Sequence, residues 1–465
     1  MNVSNESHAK AQSRKVSFIK LSLRLFARCG LCAVVFLTLF IVPSASAQEA
    51  AETIRVRTRV VFMDALVKDK QTGIAISDLK PENFEVFDDG QPRTISYFTR
   101  EGQARKPLAI VMILDLRDDG AGRFLKREEV RKAIVEELAK LPPGDEVAIL
   151  AINLNSVDDK TAAIRNGKAM WLTEFTRDPA QFEAALARIP ALVAPAPETG
   201  ETDASKHDQK NPAREGSASV MVNSDADKNA TKDSSEAKSK DNDVLETETI
   251  KGKNGAVITR TIRKDGSVNV KRVSTDGKVA IQLDNIYDMA GATRDATHLA
   301  DEKRPNSQAA IIWLSDGIAP IFYEDRDATE QILLRQNAIF NTLTVDMRTL
   351  YKFLLPFGQP LIGWTGLSLA GSAKRLAQQS GGEAVHIGRV SDYGAGLAKI
   401  IGNLTARYSL GFALSEQEKD DGRMHELAVR VKALDAKGKQ RKLDVSSRRG
   451  YYMPKGDTDQ AAANK

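Results

Sequence analysis

The sequence predicts an α/β chain: a doubly wound, mostly parallel sheet, with a small flanking β-domain and a long disordered insertion. Three observations carry that prediction. Leu108-Ala109-Ile110-Val111-Met112-Ile113-Leu114-Asp115 and Ala309-Ala310-Ile311-Ile312-Trp313-Leu314-Ser315-Asp316 are both apolar runs that end on an aspartate and enter a loop. Continuous runs of this kind suit strands buried on both faces of a parallel sheet. Between and after them come segments with helical spacing of apolar residues, as crossover connections require.

The elements follow in order. Arg123 to Leu141 carries Leu125, Val130, Ile134 and Leu138 at helical spacing and stops at Pro142-Pro143-Gly144-Asp145. Glu146 to Asn153 and Lys168 to Phe175 read as strands. Asp178-Pro179 is an N-cap followed by proline at the first helical position. After Asp316 the pattern predicts a helix near Ala328 to Phe340 and a strand around Leu343 to Asp346. A helix from Ser372 to Ser380, closed by Gly381-Gly382, then precedes a strand from Glu383 to Ile387.

Both flanks read as β-structure. Phe84 to Asp88 alternates and turns through Asp89-Gly90 into Ile95 to Phe98. Downstream, Ala406 to Phe412 and Arg448 to Tyr452 bracket strand-like runs at Leu427 to Val431 and Leu443 to Val445. We expect the flanks to form one small β-domain built from both ends of the chain, or else to pack directly on the centre.

The amino terminus has the form of a secretory leader. Lys10, Arg14, Lys15, Lys20, Arg24 and Arg28 precede an apolar run from Cys29 to Val42, and Pro43 then Ala45-Ser46-Ala47 supply the break and the small-x-small cleavage pattern. The run is shorter than the roughly 17–25 residues of a spanning helix; an uncleaved leader is the only membrane attachment the sequence offers. The leader holds six of the chain's 67 Lys and Arg and one of its 62 Asp and Glu, so the remainder is balanced. The net charge of +5 is therefore no sign of nucleic-acid binding. Both cysteines, Cys29 and Cys32, belong to the leader, which leaves no disulfide; a chain with 42% hydrophobic residues has ample core without one.

Between Phe182 and Tyr287 there is no Phe, Tyr or Trp. From Pro195 to about Thr249, Glu, Asp, Lys, Ser, Ala and Asn dominate, and disorder is the expected state. Ala256 to Ile262 and Val268 to Val273 flank Lys264-Asp265-Gly266 as a hairpin. Its strands alternate apolar and basic residues, so that one face could dock while the other stays wet. The insertion either covers the binding face or is a tolerated surface loop. The expected boundaries are 1–47 leader, 48–104 first β segment, 105–194 and 281–404 the two parts of the central domain, 195–280 insertion with a hairpin at 256–273, 405–454 second β segment and 455–465 tail.

Layout and site together resemble the von Willebrand factor A domain, a Rossmann-like fold, and the flanks are similar to those of exported acidobacterial proteins related to it. In that family a metal-ion-dependent adhesion site reads Asp-x-Ser-x-Ser after the first strand, completed by a later Thr and an Asp after the fourth strand. Asp115 and Asp316 match the aspartates. Arg117 and Asp119 stand where the serines would be, and Asp284 lies roughly where the Thr belongs. The resemblance implies a ligand-binding face of Asp115, Arg117, Asp118, Asp119 and Asp316. It implies either no cofactor or a divalent cation, Mg or Ca, held by Asp115, Asp119, Asp284 and Asp316.

Each feature also has a plainer reading. Asp115 and Asp316 could cap loop amides or pair with Arg117, and Asp118 and Asp119 could be solvated loop carboxylates. The histidines His8, His207, His298, His386 and His425 show no His-x-x-x-His or Cys/His spacing, which argues against zinc. The apolar segment from Leu350 to Phe357, continuing through Trp364, is either a partner patch or a loop folded on the core. No nucleophile elbow or phosphate loop occurs. The expectation is an exported, non-enzymatic module that binds a protein ligand for adhesion or assembly. The alternatives are an envelope enzyme using Asp115, Asp119 and Asp316, or a structural envelope component.

Overall fold

The computed structural model describes residues 59–100, 105–117, 120–153, 169–193, 221–224, 243–264, 268–277, 279–283, 289–317, 321–345, 366–368, 371–415, 417–418 and 420–453. The leader with its cleavage site, the segment from Leu350 through Trp364, and Asp118, Asp119 and Asp284 lie outside these residues.

The expected fold class is corrected. Among the described residues more lie in strands than in helices, and their strands form five sheets, four of them antiparallel. Parallel pairing is confined to one sheet, whose six strands run in the order β17 (Ala384–Ile387), β15 (Ile339–Val345), β13 (Gln308–Ser315), β5 (Leu108–Asp115), β6 (Glu146–Ile152) and β7 (Met170–Thr176). Even there, β7 pairs antiparallel with β6. The two aspartate-ended runs dominated the sequence pattern because every residue of β5 and β13 is buried. Half-exposed antiparallel strands bury alternate residues only, and so leave a weaker signal per residue.

Helices cover both faces of this sheet. Gly122–Leu125, Glu128–Leu138, Pro179–Ala187 and Tyr393–Thr405 pack on one, with Ile110, Met112 and Leu114 beneath; Met289–Lys303, Tyr323–Arg335 and Ser372–Ser380 pack on the other, over Val111, Ile113 and Trp313. Two helix boundaries differ from expectation. The segment from Arg123 to Leu141 is two helices, because Arg127 is extended. The helix expected near Ala328 to Phe340 instead spans Tyr323–Arg335, with Glu324 and Asp325 in its first turn favouring the positive end of its dipole. Asn337, at φ 49°, turns the chain into β15, whose seven residues are all buried.

Both ends of the chain contribute to two further sheets. One orders β20 (Leu443–Ser447), β1 (Val60–Asp69), β18 (Tyr408–Ala413) and β4 (Tyr97–Thr99); the other orders β21 (Gly450–Tyr452), β19 (Met424–Val431), β2 (Phe84–Asp88) and β3 (Gln91–Arg93). They share a core of Met63, Phe84, Val86, Tyr408, Phe412, Leu427 and Tyr451. The β2–β3 turn holds Asp89 at φ 48° and Gly90 at φ 78°, the two positive values that a tight type I′ hairpin needs.

The insertion is also corrected. It contributes a five-stranded antiparallel sheet, not a hairpin alone: β8 (Met221–Ser224), β12 (Val279–Leu283), β11 (Val268–Val273), β10 (Val257–Arg263) and β9 (Val244–Lys251), in that order. Strands β8 and β9 fall inside the stretch for which composition implied disorder. Residues from Val244 to Lys251 alternate strictly between half-buried and exposed, as an edge strand does, despite their low apolar content. Nor does the sheet divide into an apolar and a basic face. Arg260 and Arg272 share the buried face with Ile258, Ile262, Val268 and Val270. They are held there by acids of neighbouring elements. Arg272 donates to Glu324 through Nε at 3.1 Å and Nη2 at 2.8 Å, while Glu248 accepts from Arg260 at 2.8 Å and from Arg294 at 2.9 Å. Arg294 also pairs with Asp325.

Candidate functional site

Strands β5 and β13 are parallel neighbours with Leu114 opposite Leu314, so Asp115, the next residue of β5, and Asp316, one residue past the end of β13, both lie at the carboxyl edge. Carboxyl edges are where open sheets with helical crossovers present their crevices. Asp115 is fully buried and Asp316 is 7% exposed.

Arg117 lies between them. Its Nε reaches Asp115 at 3.1 Å, and its Nη2 donates at 2.8 Å both to Asp115 Oδ2 and to Asp316 Oδ1. Its backbone amide also donates to Asp115 Oδ1, at 3.2 Å. The planar fork matches a carboxylate in a way an ammonium cannot. The loop that carries Arg117 is drawn tight, with the amides of Gly120 and Gly122 donating to the Arg117 carbonyl at 3.1 and 2.9 Å. A methyl group added at Gly120 would come within 2.9 Å of Asp316 Oδ2, so the loop backbone packs directly on that carboxylate.

Two participants were not singled out in the sequence. Asn153 donates from Nδ2 to Asp115 Oδ1 at 2.9 Å, from the end of β6 beside β5. A third apolar run, Val147 to Ile152, that ends on a polar residue was the available signal. The second is Tyr393, wholly buried at the start of its helix with no hydrogen bond to its hydroxyl among the described residues. Burial pushes its phenol pKa up, and the charges of Asp115 and Asp316 push it further, so it remains a neutral hydroxyl.

The structure thus brings together Asp115, Arg117 and Asp316 of the expected ligand-binding face. Asp118, Asp119 and Asp284 fall outside the described residues. Of the four oxygens in the Asp115–Asp316 pair, Arg117 engages Asp115 Oδ1, Asp115 Oδ2 and Asp316 Oδ1. Serine hydroxyls at 117 and 119 would have added neutral ligands; a guanidinium instead supplies a positive charge within the pair itself.

No protein-family model matches the chain, and no curated protein sequence matches it. Among solved structures it is similar to the pilus adhesin SpaC from Lactobacillus rhamnosus GG in its open conformation, at 9% identity over 81% of this chain and 48% of that one, with a TM-score of 0.31. A second crystal form of the same adhesin gives 8% identity over 82% and 49%, with a TM-score of 0.29. The chain spans about half the length of the adhesin it matches. Among the described residues no helix is long and apolar enough to cross a membrane.

Proposed function

We propose that this chain is an exported, non-enzymatic module that binds a protein ligand through the loops around Asp115 and Asp316, with Arg117 in place of a divalent ion. The observation that carries the reading is the Arg117 guanidinium bonded to both carboxylates at 2.8 Å. A second cation between the same oxygens would meet like-charge repulsion and would first have to displace those bonds. The arrangement also speaks against carboxylate catalysis. Asp115 and Asp316 are each held by the guanidinium, and the buried phenol of Tyr393 has its pKa raised, not lowered toward neutrality. Export follows from the leader pattern of residues 1–47.

The test is capture of partners from an envelope extract on the immobilised protein, with and without chelator, beside the Asp118→Ala/Asp119→Ala variant. We expect a stoichiometric partner that survives chelation and is lost from the variant, whose thermal midpoint is unchanged. Capture abolished by chelator, or equal capture by both proteins, would overturn this reading.

A further inference from the structure

Away from the strand-end face, the β2–β3 turn and the start of β19 bring Asp88, Asp89 and His425 together. One ligand atom from each lies within 4.8 Å of the others. We propose that this cluster is a binding site for a divalent transition-metal ion of the zinc class, with His425 Nδ1, Asp88 Oδ1 and Asp89 Oδ2 as ligands.

The argument rests on how each carboxylate is used. Asp88 is 3% exposed. Its Oδ2 accepts from Arg93 Nη2 at 2.7 Å and from the Tyr451 hydroxyl at 3.3 Å. Its Oδ1 is buried with no hydrogen-bond partner among the described residues, and lies 4.0 Å from His425 Nδ1. A desolvated carboxylate oxygen without a donor costs free energy unless something positive completes it. Asp89 repeats the pattern: Oδ1 accepts from the Glu426 amide at 2.8 Å, and Oδ2 faces the same Nδ1 at 2.9 Å. Each aspartate is therefore held by one oxygen and presents the other to one imidazole nitrogen.

The remaining ring nitrogen is buried and makes no hydrogen bond among the described residues, with one carboxylate close to it. His425 Nε2 is 3.5 Å from Asp421 Oδ1, and Asp421 is itself anchored by the Arg423 amide at 2.8 Å and Nε at 2.7 Å. A shift of a few tenths of an ångström would let Nε2 donate to that carboxylate and leave the Nδ1 lone pair for a metal, the outer-shell arrangement that ligating histidines use. Tyr451 stacks on the ring at 5.2 Å and 25°, which fixes its plane. Metal–ligand bonds near 2.0–2.2 Å in a tetrahedral site set ligand atoms about 3.3–3.6 Å apart, and the two separations from Nδ1, 2.9 and 4.0 Å, bracket that range. The imidazole favours zinc-like ions over calcium or magnesium. Local motif spacing could not show this, because Asp89 and His425 are 336 positions apart and only the pairing of β2 with β19 joins them.

The test is calorimetric titration of the chelator-stripped full chain with Zn2+, with Co2+ as a spectroscopic probe. We expect one Zn2+ per chain at micromolar affinity or tighter, a rise in thermal midpoint, and visible Co2+ absorption of a tetrahedral nitrogen–oxygen site. His425→Gln and Asp89→Asn should each weaken binding at least tenfold. Asp421→Asn, which leaves all three ligands in place, should weaken it by about 10- to 100-fold without changing the stoichiometry. Absence of Zn2+ binding in a protein of native circular dichroism, or equal affinity in His425→Gln, would overturn the proposal. Either result would mean that the three aspartates simply surround the His425 ring without a metal. Neither result bears on the Asp115–Arg117–Asp316 face, whose residues the experiment leaves intact.

Discussion

Arg117 and Asp316 are 199 residues apart in the chain and meet at 2.8 Å, through the same Nη2 that bonds Asp115. One guanidinium thus ties the ends of two adjacent parallel strands, and its 24% exposed side chain is the counter-charge for two carboxylates that solvent hardly reaches.

Arg117→Ala should lower unfolding stability by about 3–5 kcal/mol, the range for removing one partner from a buried charge group. Urea denaturation measures it, and a loss below about 1 kcal/mol would mean the carboxylates do not depend on this cation. Arg117→Ser should in addition gain affinity for Mg2+ or Mn2+, since it removes the competing charge and offers a hydroxyl oxygen. Calorimetry of that variant beside the parent reads the gain directly.

Gly122 is tightly enclosed by the backbone of the loop behind Arg117. A methyl group there would overlap the Leu116 carbonyl and lie 2.6 Å from the Arg117 carbonyl oxygen, both of them backbone. Gly122→Ala should therefore destabilise by about 2–4 kcal/mol through forced backbone movement. Thermal denaturation checks the size of the effect. Arg117 should also become more accessible to an arginine-selective reagent, because the loop that holds it must shift.

The insertion sheet should loosen in acid. Burial alone would raise the carboxyl pKa values of Glu324 and Glu248. For Glu324 the bonds from Arg272 and Asn254 outweigh that effect, and for Glu248 the charges and bonds of Arg294 and Arg260 do, so both lie below the ordinary 4.5. A lowered folded pKa contributes stability that is complete above the unfolded value and is lost as pH falls through the folded one. Hydrogen exchange should show amides of β9 to β11 protected at neutral pH and increasingly exposed below about pH 4.5. Glu324→Gln should show much of that exposure already at pH 7. Protection that is flat with pH would count against these ion pairs as the docking contact.

Leader removal is expected between Ala47 and Gln48. Ala45 and Ala47 are small enough for the peptidase, and Pro43 ends the apolar run just before them. Mass spectrometry of envelope-extracted protein should find Gln48 first; an intact Met1 would establish a tethered chain.

The sequence by itself determined the long buried strands and the polar residues at their ends. Eight consecutive buried positions in β5 and in β13 leave no face for water, and such a run is visible in one dimension. It also determined that Arg117 could serve Asp115, a partner two residues away. Tertiary structure alone decided the rest. It placed β13 beside β5, so that one guanidinium serves both aspartates, and brought Asn153 to Asp115 from β6. It set Arg260 and Arg272 on a buried face, where pattern reading counts arginine as exposed, because Glu248 and Glu324 wait on other elements. It gathered Asp88, Asp89, Asp421 and His425 from the two ends of the chain. Most of the strands among the described residues pair antiparallel in four separate sheets, a distribution the two conspicuous apolar runs concealed. The physical reason is the same throughout. Periodicity records whether a residue faces water, whereas strand adjacency and the partners of a buried charge depend on contacts between residues hundreds of positions apart, which no local pattern encodes.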